Sequence, residues 1–190
     1  MSPRKDRATI IAEAQRIVSG PYVVLDTETT GLSESSEIVD IGIVDHEGRV
    51  LLNSLVRPLN PIPPDASAIH GINDAMVAAA PLWNELWPQI EQILRGRSLG
   101  IYNEEFDLKM MRISSLLNGI AWQPSYSTSF CIMKMFSAYY GEWNDYFGDY
   151  RWQRLEFAGR ELGIELENTH RALDDAQLSR EVLLRLAQAQ

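Results

Sequence analysis

Tyr22-Val23-Val24-Leu25-Asp26-Thr27-Glu28-Thr29-Thr30-Gly31 is the stretch that decides the fold. An apolar run this short, bounded by Pro21 on one side and Thr30-Gly31 on the other, reads as a buried strand over residues 22–26. Side chains alternate along a strand, so Asp26 and Glu28, two residues apart, point to one face where the apolar run ends. Two acids on one face repel each other unless a cation sits between them. Thr29, Thr30 and Gly31 then offer hydroxyls and a permissive glycine, where backbone N–H groups can approach a phosphate or sugar. Spacing alone leaves a solvated strand end as the other reading, because 26 acids in 190 residues produce roughly 3 to 4 such pairs by chance.

Working outward, residues 38–44 and 50–56 flank His46-Glu47-Gly48-Arg49 as the strands of a hairpin would, giving three neighbouring strands. Upstream, Ser2 and Pro3 open a helix over about residues 4–19, with Ile10, Ile11, Ala14, Ile17 and Val18 in helical phase and Gly20 at its end. Downstream, Pro58, Pro61, Pro63 and Pro64 mark an extended connection, and residues 81–94 form a helix with Leu82, Leu86, Ile90 and Ile93 in phase. Residues 98–102 read as a fourth strand, and 106–117, 132–140, 155–162 and 172–188 as helices. Three strands followed by α/β alternation predict a mixed sheet flanked by helices, in a single domain spanning 1–190 with the first helix appended. Residues 141–150 read as a surface excursion, and no repeat or low-complexity tract interrupts the pattern.

Bulk properties narrow the function classes. Lys and Arg total 17 against 26 Asp and Glu, a net charge of -9, which argues against a protein that holds nucleic acid through a basic surface. An acidic enzyme can still act on a polyanion where divalent ions neutralise its carboxylates and its contacts are confined to one strand end. Apolar runs such as 22–25 and 183–186 are too short to span a bilayer, and the N-terminus leads into no signal-type segment, so a soluble, cytoplasmic protein is expected. Cys131 is the only cysteine, which excludes an internal disulfide and a cysteine-rich zinc site.

Two further acids stand out. Asp107 lies in the first turn of a predicted helix, where the helix dipole favours an anion, and shares its face with Met110, Met111 and Ser114, so it reads either as an inward-pointing acid or as simple stabilisation of the helix N-terminus. His170-Arg171-Ala172-Leu173-Asp174-Asp175 opens the terminal helix, and a helical wheel separates its aspartates. Asp175 falls on the stripe of Ala172, Ala176, Ser179, Val182, Leu183 and Leu186, whereas Asp174 aligns with Leu178, Glu181 and Arg185. A carboxylate aimed at the core is costly alone, so Asp175 is either a hydrogen-bonded structural acid or a metal ligand.

In order, these segments resemble the motifs of the DEDDh exonucleases, the DnaQ-like group that includes polymerase proofreading subunits. Asp26 to Gly31 is similar to the first motif, Asn103-Glu104-Glu105-Phe106-Asp107 to the second, and His170 to Asp175 to the third. His70-Gly71-Ile72 is similar to a family element between the first two, and the resemblance covers nearly the whole chain. It implies an RNase H-like fold, with a five-stranded mixed sheet of order 3-2-1-4-5 flanked by helices. It further implies that Asp26, Glu28, Asp107 and Asp175 hold two Mg²⁺ or Mn²⁺ ions and that His170 is the general base. Thr29, Leu32, His70, Asn103 and Phe106 would hold the terminal nucleotide. The expected activity is 3′-to-5′ hydrolysis of DNA, at single-stranded 3′ ends, releasing nucleoside 5′-monophosphates. Glu104 and Glu105 depart from the small residues usual in the second motif and add negative charge near the phosphate site.

Two other readings stay open at this level. The same site could hydrolyse RNA, and the fold could serve as a non-catalytic nucleic-acid or polymerase-binding module. A polymerase partner is not readable from the residues. The aromatic stretch Tyr139, Tyr140, Trp143, Tyr146, Phe147, Tyr150 and Trp152 reads either as packing of an insertion or as a stacking platform for single-stranded bases.

Overall fold

The computed structural model describes residues 6–166 and 169–190. Ser2 and Pro3 lie outside those residues, and the first described helix, α1 (Arg7–Val18), is capped by Asp6, whose carboxylate accepts the Thr9 N–H at 2.7 Å. The chain continues through β1 (Tyr22–Thr29), β2 (Ile38–Asp45), β3 (Val50–Leu55), α2 (Pro64–His70), α3 (Asp74–Val77), α4 (Trp83–Leu94) and β4 (Ser98–Ile101). It ends with α5 (Glu104–Leu117), β5 (Thr128–Cys131), α6 (Ile132–Tyr140), β6 (Trp143–Asn144), β7 (Asp149–Tyr150), α7 (Leu155–Glu161) and α8 (Ala172–Gln188).

Five strands form one mixed sheet in the order β3-β2-β1-β4-β5. β1, β2 and β3 pair antiparallel, while β1 with β4 and β4 with β5 pair parallel. Every residue of β2 is buried, as expected of a strand covered on both faces. On one face, Tyr22, Val24 and Val44 pack with α1, α6, α7 and α8 around Phe136, Val182, Leu183 and Leu186. On the other, Val23, Leu25, Ile41 and Ile43 pack with α4 and α5 around Trp83, Ile90, Leu94 and Met110. The even residues of β1 therefore face α8 and the odd ones face α5.

Several expectations shift. β1 runs to Thr29, three residues beyond the strand expected at 22–26, because β2 pairs alongside it as far as Thr29 opposite Ile38, with a register shift after Glu28. The proline-rich connection contains the short helices α2 and α3, whose Ala66 and Val77 bury a small cluster with Val39, Ile62 and Ile72. β5 is only four residues long and carries no alternation strong enough to read. The excursion at 141–150 holds a two-stranded hairpin, in which Trp143 meets Tyr150 edge-on with ring centroids 5.0 Å apart. Tyr139, Tyr150 and Phe157 pack against the core, while Tyr146, Phe147 and Trp152 stay exposed. Among the described residues, no helix is long and apolar enough to cross a membrane.

Candidate active site

The site is built at the C-terminal end of β1, from both layers at once. Asp26 and Glu28 share the face of Tyr22 and Val24, towards α8, as the two-residue spacing requires. α8 brings Asp175, buried at 5% exposure on the stripe that includes Ala172, Ala176, Ser179 and Val182. Asp107 arrives from α5 on the opposite layer and is tied to the strand end by Thr27. Its Oδ1 accepts the Thr27 backbone N–H at 3.1 Å and the Thr27 hydroxyl at 2.7 Å. His170 is exposed, and one ligating atom each from His170, Glu28 and Asp175 lie within 4.8 Å of one another.

Electrostatics follow from this crowding. Burial, then the charges of Asp107, Asp175, Glu28 and Asp40, hold Asp26 well above the usual carboxylate range. Burial pushes Glu28 up to about 8, with Asp175, Asp40 and Asp107 adding to the shift and Arg171 opposing it. Asp107 is raised by burial against the hydrogen bonds from Thr27. Asp175 is raised to about 7 by burial, and a hydrogen bond from the Thr169 backbone works the other way. Asp175 Oδ1 is enclosed without a hydrogen-bond partner among the described residues. Four crowded carboxylates of raised pKa, one with an orphaned oxygen, form a hard-oxygen donor set that fits a divalent cation.

The residues expected to hold the terminal nucleotide differ in exposure and in local contacts. Leu32, 78% exposed, sits on the loop after β1. Asn103 occupies the N-cap of α5 without a side-chain capping bond, and Phe106, half-buried, packs against the α4–α5 layer. Thr29 donates its hydroxyl to the Gly31 carbonyl at 2.8 Å. His70 is buried, and its Nδ1 accepts the Ile72 N–H at 3.0 Å, which leaves Nε2 to carry the proton and donate to the Thr29 carbonyl at 3.3 Å. Burial lowers the His70 pKa, in keeping with this neutral tautomer. His70 therefore holds the end of β1 in place. Glu105 reaches Lys134 at 2.5 Å, so its charge is compensated locally.

Asp174 lies off the Asp175 stripe, as the wheel indicated, and its carboxylate accepts the Thr169 hydroxyl at 2.6 Å. Its neighbour on that face, Leu178, is nonetheless buried, because α7 covers it: a side chain at Gly159 would meet Leu178 at 3.1 Å. Sequence reasoning missed Asp40, which lies across the ladder from Glu28 and binds Arg171. Its signal was available in Ile38-Val39-Asp40-Ile41-Gly42-Ile43, since a charge inside an apolar strand is expensive unless paired.

An exonuclease family model, RNase_T, matches residues 23–183. The chain is similar to the exonuclease CP81 of Escherichia phage 186, with 34% identity over 185 residues and 95% of each chain covered. It is 35% identical over 178 residues to a DNA polymerase III subunit epsilon-like protein of Rhodobacter capsulatus, covering 88% of this chain but 24% of that one. Among solved structures it resembles exonuclease X in complex with 5′-overhanging duplex DNA, with a TM-score of 0.61, 26% identity, and 88% and 91% of the two chains covered. The family match, these relatives and the strand order agree: the chain belongs to the DnaQ-like exonuclease family, built on the RNase H-like fold.

Proposed function

We propose that this exonuclease shortens DNA at single-stranded 3′ ends, with two Mg²⁺ or Mn²⁺ ions held by Asp26, Glu28, Asp107 and Asp175 and with His170 as general base. The observation that carries the reading is the convergence of the four acids at the end of β1, with Asp175, one of whose oxygens is orphaned, close to an exposed imidazole. When bound, such cations neutralise the cluster and stabilise charge on the attacking and leaving oxygens of a phosphodiester. His170 takes a proton from the attacking water as its oxygen bonds to phosphorus and the bond to the O3′ of the preceding nucleotide breaks. The products are a nucleoside 5′-monophosphate and a strand one residue shorter.

Around that centre, Thr27 fixes Asp107 by two hydrogen bonds, so the carboxylate needs no reorganisation when substrate arrives. Leu32, Asn103 and Phe106 present an apolar side chain, an amide and a ring edge to the terminal nucleotide, while Thr29 and His70 shape the strand end behind them. DNA as substrate is supported by the Asp-Thr-Glu-Thr-Thr-Gly form of the first motif and by the names of the polymerase-related relatives. The test is digestion of 5′-labelled single-stranded DNA, duplex DNA and RNA side by side, with Mg²⁺, Mn²⁺ or EDTA. A ladder shortening from the 3′ end of single-stranded DNA, abolished by EDTA, is expected. Cleavage in EDTA, or release from the 5′ end, overturns the reading, and faster digestion of RNA overturns its DNA part.

A further inference from the structure

His170 stands in an unusual backbone state. Its φ of +53° makes it the one non-glycine among the described residues in the left-handed region, where an L side chain crowds its own carbonyl. Such a conformation persists only where the surroundings over-determine it, and it is commonly found at functional sites.

Part of the surroundings that fix it comes from β2. Asp40, 1% exposed, accepts Arg171 Nε at 2.9 Å and the Ala172 N–H at 3.4 Å, both on Oδ2. Those are the two residues that follow His170, and Ala172 is the first residue of α8. Two residues further along the same face of β2, Gly42 lets the helix backbone settle directly on the strand: a Cβ there would lie 2.4 Å from Leu173 Cα and N. Before His170, the Thr169 hydroxyl is held by Asp174. His170 is thus bracketed by anchored residues on both sides. Asp40 does not complete its own hydrogen bonding, since its Oδ1 is buried without a partner among the described residues. An acid buried at that cost, without full satisfaction, fits a group retained for what it positions.

We propose that Asp40 is a positioning residue for His170, clamping Arg171 and the first backbone N–H of α8 against β2 so that the imidazole is held in its left-handed backbone beside Glu28 and Asp175. This rests on the reading of His170 as the general base. Asp40 itself stays off the reacting atoms: one of its oxygens faces Arg171 and Ala172, and the other is enclosed. The clamp also presents Arg171, 39% exposed at its side chain, beside Glu28, whose pKa it opposes.

The experiment is a double-mutant cycle on the full chain, with wild type, Asp40→Ala, His170→Ala and the double variant assayed at saturating Mn²⁺ on a labelled single-stranded oligonucleotide. Asp40→Ala is expected to lower kcat roughly 10- to 100-fold, the scale of a displaced catalytic group, with KM within about twofold. Added to His170→Ala, the same change should cost less than about threefold, because two residues acting through one group are not additive. Mn²⁺ affinity, titrated separately, should stay within about twofold in Asp40→Ala, since no ligand is removed. If Asp40→Ala unfolds the protein, Asp40→Leu, which is close in size and removes both the charge and the acceptor that grip Arg171 and Ala172, enters the same cycle. A full multiplicative loss on top of His170→Ala, or an unchanged kcat in the Asp40 variant, overturns the proposal. A wild-type rate in His170→Ala instead removes the general-base reading, and the proposal with it.

Discussion

Gly42→Ala perturbs the site without touching a carboxylate, and its effect can be worked out from distances. The added methyl would lie 2.4 Å from Leu173 Cα and N and 2.5 Å from the Ala172 carbonyl carbon. Ordinary carbon contacts are about 3.5–4.0 Å, so the strand and the first turn of α8 must separate by about 1 Å. All three opposing atoms are backbone, so no rotamer change relieves the clash. That turn follows His170 directly and carries Asp175 on its inner stripe. A misplacement of about 1 Å in catalytic groups costs on the order of 100-fold in rate, and overpacking costs about 1–3 kcal/mol of stability, or a few to ~10 °C in Tm for a chain of this size. The assay is steady-state hydrolysis of a labelled oligonucleotide at saturating Mn²⁺, with calorimetry on the same preparations. Gly20→Ala is the control, since its Cβ would meet nothing nearer than the Ile17 carbonyl oxygen at 3.8 Å, and it should leave kcat within about twofold. A folded Gly42→Ala enzyme with wild-type kcat would refute the claim that the approach of β2 to α8 sets the geometry of the site.

The other expectations concern single groups. Asp175→Asn should lower single-turnover hydrolysis at least ~100-fold and weaken Mn²⁺ binding, because a ligand oxygen loses its charge; Asp174→Asn should stay within about threefold, since an amide oxygen can still accept the Thr169 hydroxyl. The reverse ranking would sink the ligand assignment. Glu28 is raised to about 8 and Asp175 to about 7, so between the ordinary carboxylate range near ~4 and those values the folded state binds more protons than the unfolded. Metal-free stability should therefore fall as pH rises from about 4 to 8, and Mn²⁺ should raise Tm more at pH 8 than at pH 6; equal metal-induced shifts, read by calorimetry, would contradict these pKa values. Phe147→Ala, at an exposed tip position, should weaken single-strand capture in an anisotropy titration without moving Tm if stacking is its role. Trp143→Ala should lower Tm, because its ring packs edge-on against Tyr150; a stable Trp143 variant with impaired capture would restore the platform to Trp143.

What the sequence determined by itself was local and periodic. Alternation put Asp26 and Glu28 on one face of a strand, and the helical wheel put Asp175 with the buried stripe and Asp174 off it, because both follow from fixed backbone geometry over a few residues. The terminal helix at 172–188 and the helix at 132–140 were legible to the residue from their apolar phase. β5 was not, since four residues carry too little pattern, and α2 and α3 were hidden in a proline-rich run that folds only by covering Val39. Only the tertiary structure decided that Asp107 reaches β1 from the opposite layer through Thr27 and that His70 is occupied in holding the Thr29 carbonyl. It also decided that Asp40, 131 residues before Arg171 in the chain, anchors the turn that carries His170. These are contacts between segments far apart in sequence, fixed by how the sheet and helices pack, and no pattern within one segment encodes which distant partner a buried acid will find.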